Sequence, residues 1–180
     1  MDVRLGLPVL LLVVAVALVG SVEEELRPPA HQFALWPGGP AGGGFTALAV
    51  ATRAAASPAL EWGTPPPGTG SLALVAVDLD SPGGPEPFWA VWNIPPTMRR
   101  LEPGLPPVRR LPGGAAQADR DGGGGWSPAA RGTGPLLHRV RFVLFAVRGR
   151  LDLPDDAGAA AVAREASLRA LAIASWSVGD

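Results

Sequence analysis

The sequence predicts a mainly β protein: two packed antiparallel sheets with a C-terminal peripheral helix. Three observations predict it. Short apolar or alternating runs are separated by long stretches rich in Gly and Pro. The strand–helix alternation that a parallel sheet needs is missing. A single Ala-rich segment with helical spacing comes last. A length of 180 residues fits one domain with a sizeable core.

The elements follow in chain order. Behind Arg4, Leu5 to Val19 is largely apolar, and Gly20 and Ser21 precede Glu23, Glu24 and Glu25. A charged start, an apolar core and small residues before a polar segment form the pattern of a signal peptide. Residues 1–21 are therefore expected to be a signal peptide or N-terminal anchor, residues 22–180 the domain, and the protein exported: periplasmic, secreted or anchored outside the cytoplasm. From Val22 to about Ser57 the chain reads as loop, with one short strand around Phe45 to Ala51. Ser71 to Val77 is continuously apolar, as suits a strand buried on both faces, and ends at Asp78. Phe88 to Ile94 is a second such strand, stopped by Pro95-Pro96 because proline cannot donate to a ladder. Thr97 to Gly125 holds few apolar residues and reads as a long surface loop. His138 to Val147 alternates with period two: Val140, Phe142, Leu144 and Ala146 share one face, and Arg139, Arg141, Val143, Phe145 and Val147 the other. Ala157 to Trp176 places Leu168, Leu171, Ala172 and Trp176 at helical spacing behind Asp155-Asp156, and a terminal helix is expected over that span.

Composition narrows the function. Apolar residues make up 47% and charged residues 17%, a globular balance. Every basic residue is Arg, and a net charge of −1 supplies no clustered positive field, so nucleic acid is not an expected partner. Without Cys there is no disulfide, thiol nucleophile or thiolate metal site. The residues call for no metal and no cofactor.

Single residues carry both plain and functional readings. Asp78 and Asp80 suit a strand-ending turn, because Asp bonds its own backbone; for Asp80 that reading suffices, and for Asp78 a site role stands beside it. His138 gains a functional reading only from its neighbours, and His31 reads as a loop residue. The pairs Arg99-Arg100 and Arg109-Arg110 read as solvated loop, and Gly122 to Gly125 as flexible linker, lacking the Lys-Ser/Thr of a phosphate loop. Trp62, Trp89 and Trp92 read as core, with Trp126 the more exposed.

Four blocks, in order, carry a resemblance: Ser57-Pro58-Ala59-Leu60-Glu61-Trp62 with Pro67-Gly68-Thr69-Gly70-Ser71-Leu72-Ala73-Leu74; Asp78-Leu79-Asp80-Ser81-Pro82; Phe88-Trp89-Ala90-Val91-Trp92-Asn93-Ile94-Pro95; and His138-Arg139-Val140-Arg141-Phe142. Together they resemble the phosphatidylethanolamine-binding protein family, in its bacterial-type, Raf kinase inhibitor-like branch. The resemblance implies two antiparallel sheets with a small anion site at one end, in a binding module and not an enzyme. Its implied partners are a small anionic ligand or phospholipid headgroup, and a kinase or protease as protein partner. Carried over by position, the implied ligand-binding set is Asp78, His138, Phe88, Trp126, Arg131 and Val140. Asp78 and His138 keep the family's residues. Phe88 replaces a strand His, Val140 replaces a Tyr, and Ala130-Arg131-Gly132 stands where the family has Gly-Pro-Pro, with Trp126 as the aromatic before it.

Phosphate needs converging donors, which Phe88 and Val140 lack in their side chains. His138, Arg131 or Arg139 are the candidates to supply them, with Asp78 orienting His138. Weakened phosphate-headgroup binding and a more apolar mouth are therefore expected. Two other readings stay open. Asp78-x-Asp80 after an apolar strand suits a magnesium-dependent phosphatase of haloacid-dehalogenase type, though position 82 is Pro and no Lys exists to hold transferred phosphate. A structural remnant that binds nothing is the third.

Overall fold

The computed structural model describes residues 33–38, 56–126 and 138–178. The expected signal segment, His31, the strand around Phe45 to Ala51, and Arg131 with its neighbours lie outside the described residues.

Eight strands and one helix make up the described part. A three-stranded sheet joins β1 (Leu35–Pro37), β2 (Leu60–Trp62) and β5 (Arg100–Leu101) in the order β1-β2-β5. A five-stranded sheet joins β3 (Ser71–Asp78), β4 (Glu86–Ile94), β6 (Ala116–Asp119), β7 (Val140–Val147) and β8 (Ala170–Val178) in the order β6-β4-β3-β7-β8. Helix α1 spans Ala159–Leu168. Every strand pairing is antiparallel. The parallel sheet that the phosphatase reading requires is thus not the sheet that carries Asp78.

Strand alternation divides the core in two. Leu72, Leu74 and Ala76 of β3 and Val140, Phe142, Leu144 and Ala146 of β7 pack with Leu35, Leu60, Trp62 and Leu101 of the small sheet. Ala73, Val75 and Val77 of β3 and Val143, Phe145 and Val147 of β7 pack with Ala159, Val162 and Ala166 of α1. The continuous apolar run of β3 therefore means burial on both faces, as the sequence predicts. Trp62, Trp89 and Trp92 are buried.

Strand β4 carries two irregularities. Ala76 opposes Trp89 while Val77 opposes Pro87, which leaves Phe88 as an extra residue, and Phe88 and Trp89 both reach the inner core. Near the other end Asn93 has φ 57, a left-handed conformation that Asn tolerates. Its buried amide donates to Leu151 O at 2.9 Å and accepts from Leu151 N at 2.8 Å, so the bulge is tied to the loop before α1.

Three expectations need correction. The helix ends at Leu168, and Ala170 to Val178 is a strand, with Trp176 opposite Phe142. This segment alternates as well as it turns, and the open edge of β7 supplies backbone partners that an isolated helix would forgo. The stretch from Thr97 to Gly125 holds two strands. In β6 the buried Gln117 accepts from Trp89 Nε1 at 3.2 Å and donates to Pro106 O at 2.6 Å and Val108 O at 2.8 Å, so one amide organises the loop that sequence reading left unstructured. Gly122 to Gly125 is a packed turn. Asp119 Oδ1 accepts from Asp121 N at 2.9 Å and Gly123 N at 2.8 Å, and a Cβ on Gly124 would lie 2.5 Å from Arg109 N. Arg109 itself donates to Gly122 O and Ala157 O and lies 5.9 Å from the Trp92 ring centre, clamping the turn to the start of α1.

Candidate functional site

The site lies where the central strand β3 ends. Asp78 is its last residue, flanked in register by Glu86 of β4 and Val140 of β7. Its position places the side chain on the same face as Leu72, Leu74 and Ala76, and it is only 1% exposed. A buried carboxylate needs partners. The residues that enter β7 supply them: His138 Nδ1 lies 2.9 Å from Oδ1 and 2.7 Å from Oδ2, and Asp80 N donates to Oδ1 at 3.0 Å. One carboxylate both closes the turn and holds the imidazole.

An ionised carboxylate only accepts, so Nδ1 carries the shared proton in the neutral imidazole and Nε2 is left as the acceptor. Nε2 has no hydrogen-bond partner among the described residues, and the His138 side chain is 24% exposed. Asp78 thereby fixes which nitrogen of the neutral imidazole carries the proton.

Asp80 does more than turn the chain. Its carboxylate accepts from Arg139 N at 2.7 Å, from Arg139 Nε at 3.1 Å and from a terminal guanidinium nitrogen at 2.7 Å. These bonds hold its pKa down at about 2, against an ordinary 3.8. Leu79 N donates to Arg139 O at 2.9 Å, so two carboxylates two residues apart grip two consecutive residues of the opposite strand entry. On the other flank Glu86 accepts from Ser81 Oγ at 3.0 Å and lies 2.7 Å from Arg120 Nε.

Next to this polar row lies an aromatic one. Ala76 opposes Trp89 on one side and Phe142 on the other, and Phe142 opposes Trp176. Trp126 meets Phe88 and Trp89 edge to face at 5.5 and 5.1 Å and stacks on Phe142 at 6.5 Å; Phe142 stacks on Trp176 at 6.0 Å. Phe88, Trp89 and Phe142 are fully buried, whereas Trp126 and Trp176 are half-buried and form the rim.

Of the sequence-predicted residues, Asp78 and His138 come together, and Phe88, Val140 and Trp126 stand on the same face beside them. Trp126 is less exposed than expected because three rings cover it. Arg139, a candidate donor to a ligand, is committed to Asp80. Sequence reasoning missed Trp176, which it placed in a helix, and the ion pairs Asp80–Arg139 and Glu86–Arg120. The polar–apolar alternation of residues 174–178 could have revealed the first; the ion pairs have no signal in one sequence, being contacts between distant segments.

Two packed antiparallel sheets with a buried polar pair at one sheet end define a binding module. Residues 37–178 match the family model "Phosphatidylethanolamine-binding protein", and the chain belongs to that family. Among curated relatives, a UPF0098 protein of Methanothermobacter thermautotrophicus is 38% identical over 103 residues, 56% of this chain and 66% of its own. The UPF0098 protein YbcL of Escherichia coli is 35% identical over 96 residues, 51% of this chain and 52% of its own. The matches thus span less than two thirds of these relatives' lengths. The crystal structure of YbcL, described as a new member of the mammalian family, superposes with a TM-score of 0.56 at 28% identity over 68% of this chain and 77% of that one. The Chlamydia trachomatis homolog CT736 superposes with a TM-score of 0.61 at 20% identity over 84% of this chain and all of that one, a likeness of fold.

Proposed function

We propose that the chain is an exported binding module that takes a small headgroup-type ligand at Asp78 and His138, with a hold on phosphate weaker than the family's pocket would give. The observation that carries this reading is the buried Asp78 carboxylate pinned to His138, with Nε2 turned outward. A buried carboxylate at a strand end contributes little to packing, and its orientation of one imidazole nitrogen is the kind of preorganisation a ligand site needs. Phe88 and Val140, both fully buried, bring apolar surface to positions where the family has His and Tyr, which supports the loss of phosphate donors. Export is supported by the apolar run behind Arg4, and a kinase or protease partner by the family resemblance. Calorimetry with phosphorylethanolamine tests the ligand reading. Weak binding, with Kd near or above about 1 mM, that disappears in His138→Ala is expected; ordinary affinity unaffected by that substitution overturns it, and no heat with any headgroup favours a remnant without ligand.

A further inference from the structure

We propose that β8 is an interaction edge for a second copy of this chain, whose own β8 pairs with it antiparallel about a two-fold axis at Ser175. This edge does not depend on Asp78 and His138 taking a ligand.

The two edges of the five-stranded sheet are finished differently. β6 is short, and loop backbone closes its outer side: Gln117 N donates to Arg109 O at 2.9 Å and Asp119 N to Gly123 O at 3.0 Å. β8 has nine residues with no charge, Gly or Pro among them, so it lacks the side chains that keep exposed edges from pairing. Its irregularity is a bulge near the start, where Ala146 opposes Ala172 but Val147 opposes Ala170. β1 of the small sheet packs near β8 without pairing to it.

The ladder decides which backbone groups face outward. Leu79 N donates to Arg139 O at 2.9 Å, so the odd-numbered residues of β7 bond toward β3 and the even-numbered ones toward β8. Opposite the latter stand Ala172, Ala174, Trp176 and Val178. Ile173, Ser175 and Ser177 therefore turn N–H and C=O to the open side, and no hydrogen bond among the described residues reaches those groups. Ile173 is 47% exposed, Ser175 is exposed, and Leu168 just before the strand is 63% exposed.

Charge and shape select the partner. An uncharged edge offers nothing to a charged strand, and β1 and β5, the edges of the small sheet, have only three and two residues. β8 itself is the long, neutral strand that fits. Its regular stretch Ala172–Val178 has Ser175 at the middle, so full overlap of two copies sets Ser175 opposite Ser175, an outward-facing residue as the pairing requires. That register places Ala174 opposite Trp176 and Ala172 opposite Val178 on the inner face, small against large, and Ile173 opposite Ser177 on the other. A two-fold axis closes the assembly at two chains and makes their sheets continuous.

Cross-linking tests the register. The chain has no Cys, so a disulfide formed by Ser175→Cys must join two copies. Narrow antiparallel pairs hold Cα atoms about 5.5 Å apart, within disulfide reach. Ser175→Cys should cross-link under mild oxidation, and Ala160→Cys, exposed on α1, should not. Sedimentation of the full chain should show a reversible dimer with Kd on the order of 10 μM. Ile173→Lys and Ser175→Lys, both at exposed positions, should each weaken it by about fivefold or more. Hydrogen exchange needs no variant: the amides of Ile173, Ser175 and Ser177 should gain protection as concentration rises, while those of Ala172, Ala174 and Trp176 stay protected throughout. A monomer up to about 1 mM, or a dimer that both Lys variants leave intact, overturns the inference. Protection of the Ile173 and Ser175 amides that ignores concentration also overturns it, because the chain's own residues would then cover the edge.

Discussion

The two faces of the five-stranded sheet are built by alternate residues of the same strands, yet they are furnished differently. The face toward α1 carries Ala73, Val75, Val77, Val143, Phe145 and Val147, with Trp92 of β4, against the small side chains Ala159, Val162 and Ala166. The opposite face carries Phe88, Trp89, Phe142 and the half-buried Trp126 and Trp176, and at its end a buried carboxylate. The helix face gains stability by closing the small side chains of α1 down on the sheet. The opposite face stacks five aromatic rings and also holds the polar pair, so stability and the proposed recognition share one surface there.

The largest effects should come from cutting into each face. Trp89→Ala should cost about 3–5 kcal/mol in a urea melt, since it removes a buried indole and strands the Gln117 carbonyl. Val162→Ala on the helix face should cost about 1.5 kcal/mol, two buried methyl groups' worth, and leave ligand binding unchanged. Equal losses at the two positions would erase the contrast.

Asp78→Ala should cost about 1–3 kcal/mol, because His138 Nδ1–H and Asp80 N–H lose their acceptor. A stabilised variant would show the carboxylate to be strained for function beyond what its bonds return. Gly122→Ala, at φ +87 with the Asp156 carbonyl against the added Cβ, should destabilise by about 1–3 kcal/mol. A loss below about 0.3 kcal/mol would restore the flexible-linker reading of that Gly run.

The smallest effect is a matter of pH. Asp80 has a folded pKa of about 2 against an ordinary 3.8, so its contribution is fully present above the higher value and is lost as pH falls through the lower one. Being half open to water, the Asp80–Arg139 pair should add less than about 1 kcal/mol. Acid titration of Asp80→Asn followed by circular dichroism should show a shallower loss of stability across that window.

Much of the fold was legible because β3, β4 and β7 are long, apolar or alternating, and buried on both faces, so their pattern is set by the sheet itself. Asp78 and His138 were legible as a pair only through motif order, since sixty residues separate them. What failed did so where tertiary pairing decides. The Ala170–Val178 segment fits a helix or a strand by local preference, and the edge of β7 selects the strand. Short β6 holds two alanines and draws its stability from Gln117 reaching Trp89 and two loop carbonyls. Arg109 read as solvated until its clamp on Gly122 and Ala157 was visible.

Everything functional depends on which nitrogen of His138 faces a ligand. Long-range nitrogen–proton NMR of the imidazole at neutral pH reports it directly. For the neutral imidazole the account predicts Nδ1 protonated, Nε2 bare, and an Nε2 shift that moves when phosphorylethanolamine is added. A proton on Nε2 with Nδ1 bare, or an imidazole whose signals are unchanged by Asp78→Asn, would contradict it.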